Sequence, residues 1–393
     1  MRSYIKPAII ALFVFLSFYA IARLGSPRPQ TYHPVPGETP PPPASSKIQV
    51  AVLLDVSNSM DGLIEQAKAQ LWNMVSVMGK ATCEGAAPSI QIALYEYGRS
   101  SNDLKDGYVK QITGFTADLD FISRKLFSLN TNGGDEYCGQ VIYTSLTEMN
   151  WDTTANSYKV IFIAGNEDFL QGQLSFTKAC TEARKKNVIV NTIYCGDRLQ
   201  GVREHWNLGS ECGSGSFTNI NPDAVIDDIP TPYDSTIFVL NDQLNKTYLS
   251  YGANGTEAYK QQAAVDDANM EMNKSVMAKR AAVKAKKALY NNSSWDAVDA
   301  ISSDSLFYKK VDMATLPDSL KGKSRAELKV VIEKKSAERK AIQQAIEDNN
   351  VKRETYIAKE KAKKANGKNE QTLETEIERI VREQAKRFNM VIQ

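Results

Sequence analysis

The chain has 393 residues, 42% hydrophobic and 24% charged, a composition that excludes collagen-like, mucin-like and wholly disordered proteins. Its net charge of +2 hides a division, since residues 47–254 carry 16 Lys/Arg against 24 Asp/Glu and residues 255–393 carry 28 against 21. The histidines are His33 and His205 alone, which excludes a multi-histidine zinc site, and neither a Walker loop nor a G-x-S-x-G elbow occurs.

Arg2 and Lys6 precede an apolar run from Ala8 to Ala22, too short for a comfortable membrane span and long enough for the hydrophobic region of an export signal. Residues 1–24 are expected to be a signal peptide, cut at the small-x-small site Ala20-Ile21-Ala22, or an uncleaved anchor, giving an exported, periplasmic or cell-envelope protein with N-terminal membrane association. Residues 25–46 are so dense in proline that they form neither helix nor interior strand and read as an extended spacer.

Residues 47–230 alternate strand and helix signals. Lys47 to Leu54 is a nearly unbroken apolar run with two valines, expected to be a strand buried on both faces at the centre of a parallel sheet. A helix follows over 61–80, then a strand in SIQIALYEYG, a short strand from Tyr108 to Ile112, and helices over 117–128 and 139–149. KVIFIAG (159–165) reads as a second fully buried strand, Ser175 to Lys186 as a helix, VIVNTIYC (188–195) as a strand and GSFTNI (215–220) as the last one. This rhythm predicts an α/β doubly wound, mostly parallel sheet, with its ligand site at the carboxyl ends of the strands. All five cysteines fall between residues 83 and 212, so up to two disulfides are possible in an oxidising compartment, and no C-x-x-C supports a redox or zinc-ribbon reading.

The first buried strand ends in Asp55-Val56-Ser57-Asn58-Ser59. Hydroxyls at i and i+2 point the same way from an extended turn, and a preceding carboxylate holds them and a metal's waters, which suits a hard divalent cation. The same residues also suit a metal-free helix N-cap. A central strand closed by D-x-S-x-S and followed by a helix, in this strand order, resembles the von Willebrand factor A domain, where the motif opens the metal-ion-dependent adhesion site. The resemblance implies that Ser57 and Ser59 ligate Mg²⁺ or Ca²⁺ directly, that Asp55 acts directly or through water, and that an acidic side chain of a protein partner completes the site.

Two departures from the family stand out. Where it places a threonine after a Gly-Gly pair, this chain has Asp135 and Glu136 after Gly133-Gly134, with Thr131 ahead of the glycines. A carboxylate there raises the negative charge and favours Ca²⁺. Where the family has an aspartate after the second buried strand, this chain has Gly165, with Asn166, Glu167 and Asp168 just beyond. The expected metal set is Asp55, Ser57, Ser59, Asp135 and Glu136, with Thr131, Asn166 and Glu167 as further candidates. Cys138 and Cys195 both fall on this rim, and a disulfide between them is the expected pairing. His205, beside Trp206, reads as a packed or surface histidine.

Residues 231–393 are helical and Lys/Glu-rich. Ile237, Leu240, Leu244 and Tyr248 form a stripe that can dock this region on the α/β domain. Residues 256–290 read as one long helix, Trp295 to Ile301 as a short one capped from Ser293-Ser294, 306–322 as irregular, and Ser324 to Lys364 as a second long helix. Gly367 breaks it, and Glu370 to Asn389 shows an amphipathic stripe, buried by antiparallel helices packing on one another. Basic residues interrupt the stripe of the second long helix, so a long coiled coil is not compelled. Lysines alternate with glutamates without aromatic interleaving, so no nucleic-acid partner is expected. The expected function is a non-enzymatic, cation-dependent protein-binding or scaffold protein of the envelope. The alternative is a structural envelope protein with a metal-free platform and helix-mediated assembly.

Overall fold

The computed structural model describes residues 46–221, 229–364 and 372–392; the expected export segment, the linker short of Ser46, and Gly367 lie outside the described residues. Strand β1 (Lys47–Asp55) is central because both its faces are apolar, and it pairs in parallel with β3 (Ser89–Tyr97) on one side and β5 (Tyr158–Gly165) on the other. The sheet runs β4-β3-β1-β5-β6-β7, with β4 (Lys110–Thr116) antiparallel at one edge and β6 (Ile189–Cys195) and β7 (Ser214–Ile220) parallel toward the other. The chain thus leaves β1 toward opposite sides, and the crevice at its carboxyl end is the topological switch point of the fold.

Helix α1 (Asp61–Met78) and α2 (Leu119–Phe127) cover one face; α3 (Cys138–Glu148), α4 (Phe176–Lys185), α5 (Arg198–Arg203) and α6 (Trp206–Cys212) lie toward the other. The core against α1 and α2 also holds residues far down the chain. Ile380, Val381 and Ala385 of the last α-helix, Leu373–Ala385, are fully buried in the same cluster as Ile48 and Val50 of β1. The amphipathic stripe there is therefore covered by the sheet and α1, rather than chiefly by neighbouring tail helices as the sequence suggests. Periodicity identifies the apolar face of a helix but not what covers it. Beyond it, β8 (Met390–Ile392) pairs antiparallel with β2 (Ala81–Cys83) in a two-stranded ribbon. The described residues from Ser46 to Ile392 form one compact unit.

Two further expectations in the basic half change. The helix expected over 256–290 is two, α7 of residues Asp234–Asn245 being followed by α8 (Gly255–Met272) and α9 (Lys274–Lys284). Asn273 takes an extended backbone, and its side chain accepts from the amides of Ser275 and Val276 at 2.7 and 3.2 Å, so it caps a new helix where Ala/Lys composition suggests continuity. The short helix runs over Ala297–Ser303 and is capped by Asp296, not by Ser293-Ser294, because the Asp296 carboxylate reaches the amide of Asp299 at 2.9 Å. The 40-residue helix Arg325–Lys364 matches the expected second long helix.

The expected Cys138–Cys195 disulfide is not formed. Cys180 of α4 and Cys212 of α6 are bonded instead, with Cα atoms 5.7 Å apart, while Cys83, Cys138 and Cys195 are buried free thiols. Cys138 turns inward toward the Tyr97 hydroxyl, 3.8 Å away, and so packs as a small core residue. Among the described residues no helix is long and apolar enough to cross a membrane.

Candidate functional site

At its carboxyl end β1 delivers Asp55 into a fully buried position, and the chain then turns through Ser57 and Ser59 before α1 begins at Asp61. One oxygen of Asp55 accepts from the backbone amide of Ser57 at 2.7 Å, which fixes the turn. The hydroxyls of Ser57 and Ser59 lie 3.4 Å apart, the first buried and the second exposed. The Gly-Gly loop is tied to this turn by the amide of Asn132, which donates to the carbonyl of Val56 at 2.8 Å, and to the β3–β4 loop by the amide of Ser100 donating to the carbonyl of Gly133 at 2.9 Å.

That tie carries Glu136 beside Asp55. Glu136 is 6% exposed, and both acids keep an oxygen, Oδ2 of Asp55 and Oε2 of Glu136, with no hydrogen-bond partner. Glycines make the space. A Cβ on Gly98, whose φ is +79°, would lie 2.8 Å from both Asp55 Oδ1 and Glu136 Cγ, and one on Gly165 would lie 3.1 Å from Asp55 Oδ2. Burial pushes the Asp55 carboxyl up to about 6 against the pull of Ser57's hydrogen bonds. Burial, then the Asp55 charge, pushes Glu136 up to about 9. Exposed Glu167 adds negative potential at both.

The other sequence candidates are placed differently. Asp135 is exposed and accepts from the Tyr137 hydroxyl at 3.2 Å, away from the carboxylate pair. Thr131 donates to Asp61 at 2.6 Å at the start of α1. The Asn166 amide reaches the Ser59 hydroxyl at 3.2 Å, so this loop does join the site. Glu167 contributes its carbonyl to the Trp206 indole at 2.7 Å, and Asp168 meets His205 Nδ1 at 2.9 Å. The His205-Trp206 pair thus clamps the 166–169 loop, a role that the lone histidine does not signal. Tyr97, whose hydroxyl donates to the carbonyl of Ala164 at 2.9 Å, and Gly98 are site residues that sequence reasoning misses; the Glu-Tyr-Gly at the end of β3 is their only signal.

The residues present fit a divalent cation. Two buried carboxylates with unsatisfied oxygens and two adjacent hydroxyls are an all-oxygen donor set for a hard ion. Among the described residues no group of three or more His, Cys, Asp or Glu side chains is disposed to hold a metal, so the set rests on these two acids and the serines.

No family model and no curated protein matches the sequence. Solved structures do. Proximal thread matrix protein 1 from the mussel byssus, with a zinc-occupied MIDAS motif, is 13% identical over 46% of this chain and 43% of that one, with a TM-score of 0.34. A von Willebrand factor type A protein from Catenulispora acidiphila is 14% identical over 46% of this chain and 40% of that one, with a TM-score of 0.34. An aerotolerance-related membrane protein from Bacteroides fragilis is 15% identical over 45% of this chain and 93% of that one, with a TM-score of 0.31. The match thus spans about two fifths of the length of the first two.

Proposed function

We propose that this chain, a von Willebrand factor A-domain protein, is a non-enzymatic, divalent-cation-dependent binding or scaffold protein of the cell envelope. Asp55, Ser57, Ser59 and Glu136 hold Mg²⁺ or Ca²⁺, with Asn166 steadying Ser59, and an acidic side chain of a protein partner takes the remaining position. When bound, the cation supplies the coordination site through which that carboxylate is recognised. The observation that carries this reading is the pair of buried carboxylate oxygens without partners beside two hydroxyls at the switch point of the sheet. The Cys180–Cys212 disulfide and the export-type N-terminus support an oxidising, extracytoplasmic setting.

The test is calorimetric titration of Mg²⁺, Ca²⁺ and Mn²⁺ into the purified chain and its Asp55→Ala variant. Binding in the wild type that disappears in the variant is the expected result. If the wild type binds none of the ions up to about 5 mM, beyond the usual range of extracellular sites, this reading fails and the metal-free, helix-assembled platform takes its place.

A further inference from the structure

We infer that Glu136 is a resident ligand that sets the cation preference of the site, so that the chain takes up Ca²⁺ ahead of Mg²⁺ and does so before any partner arrives. This rests on the reading of the site as a cation site and adds which ion it takes and in what order the assembly forms.

The first ground is an imbalance of charge. Nine carboxylates are buried among the described residues: Asp55, Glu96, Asp120, Glu136, Asp234, Asp266, Asp296, Asp299 and Glu376. Seven of them meet an arginine or lysine within 4.0 Å: Glu96 with Arg99, Asp120 with Arg280, Asp234 with Arg353, Asp266 with Arg280 and Lys284, Asp296 and Asp299 with Arg339, and Glu376 with Arg379. Asp55 and Glu136 are the two with no base, and they lie together. Elsewhere this fold supplies a counter-charge wherever it buries an acid, as the cost of burying an uncompensated charge requires. At Asp55 and Glu136 the chain supplies no base, and a cation from outside can take the place of the protons that burial otherwise favours there.

The second ground is the donor set. Gly98 and Gly165 bring bare backbone against the two acids, where a Cβ would lie 2.8 Å from Asp55 Oδ1 and Glu136 Cγ and 3.1 Å from Asp55 Oδ2, so no side chain at either position covers them. Two carboxylates match the charge of a divalent ion without help from a partner. Ca²⁺ accepts six to eight oxygens in irregular geometry, including bidentate carboxylates, whereas Mg²⁺ demands a near-ideal octahedron and keeps several waters. A buried acid on the long Glu136 side chain, in place of the small neutral hydroxyl that the family resemblance leads one to expect in this loop, favours the larger ion and displaces the waters the smaller one retains.

The measurement is Tb³⁺ luminescence excited through tyrosine in the full chain, since a Cβ on Gly165 would lie 2.5 Å from the Tyr97 hydroxyl as well as 3.1 Å from Asp55 Oδ2, which places that ring at the site. Ca²⁺ and Mg²⁺ are then titrated as competitors into wild type, Glu136→Thr and Glu136→Gln. In the wild type Ca²⁺ is expected to displace Tb³⁺ at a concentration about tenfold or more below that of Mg²⁺. Both variants should lose at least about tenfold in Ca²⁺ affinity with little change for Mg²⁺, so that the preference collapses. The glutamine variant keeps the shape and removes only the charge, which guards against a packing artefact. Wild type that binds the ions with a preference unchanged in both variants overturns the role of Glu136 and leaves the cation site standing. Wild type with no competition from either ion up to about 5 mM overturns both.

Discussion

At the scale of single residues, the site depends on what is absent from Gly98 as much as on what its acids present. A methyl group there would meet Asp55 Oδ1 and Glu136 Cγ at 2.8 Å, on a backbone of φ +79° that side-chain-bearing residues rarely adopt. Gly98→Ala should therefore cost about 1–3 kcal/mol in denaturant unfolding and weaken cation binding in calorimetry. A variant of unchanged stability and affinity would show that the cradle has slack. Asp55, Ser57 and Ser59 are legible in the sequence because they adjoin one another in a motif with a direction. Glu136 is only half legible. Two acids follow the glycines, and spacing does not say that the first faces solvent beside Tyr137 while the second turns inward; that is settled by the loop's hydrogen bonds to Val56 and Ser100. Gly98 is silent, since a cradle made by three loops has no local signature.

At the scale of elements, a buried polar network joins the basic half to the α/β half. Arg280 of α9 contacts Asp120 of α2 and Asp266 of α8, both at 2.6 Å, and lies over the Trp72 ring of α1; Lys284 reaches Asp266 at 2.7 Å, and the Tyr290 hydroxyl donates to Asp120. Burial alone would raise the Asp266 carboxyl, but Lys284 and Arg280 hold it well below the usual carboxylate range. A carboxyl depressed in the folded state stabilises the fold above its unfolded value and loses that contribution as pH falls through the folded one. The contribution of this group should accordingly be level near neutrality and decline below about pH 4. Asp266→Asn should destabilise the protein by about 3–5 kcal/mol at pH 7, because it strips charge from around two buried cations, and should flatten the acid limb of the profile. Chemical denaturation across pH checks both; an unchanged acid limb would assign the decline to other carboxylates. The helices of this half are legible from periodicity. Their mutual wiring is not, because Arg280, Asp120 and Asp266 each look like ordinary members of charged helices until tertiary packing removes water from all three.

At the scale of the molecule, composition changes near residue 230 but the core does not. Leu373, Ile377, Ile380 and Val381 share one cluster with Ile48, Val50 and the α1 residues Leu71 and Trp72. The described protein should therefore unfold in one cooperative transition, seen alike by far-ultraviolet circular dichroism and tryptophan fluorescence. Deleting residues 373–393 should abolish that transition, because it uncovers the sheet face these side chains occupy. Two separated transitions, or a truncated chain that still unfolds cooperatively, would show that the halves fold independently. The alternating strand and helix order is legible because each buried strand announces itself by an apolar run. That the closing layer comes from the far end of the chain is not, since no local pattern records a contact spanning most of the sequence. The ribbon between Ala81–Cys83 and Met390–Ile392 has a further consequence for the timing of synthesis. One face of the sheet stays uncovered until residues 373–392 have been synthesised, so a nascent chain that has already made all the sheet's strands is still unsealed. A polypeptide whose sheet cannot close early remains open to threading and to chaperones for as long as its strands wait for that layer.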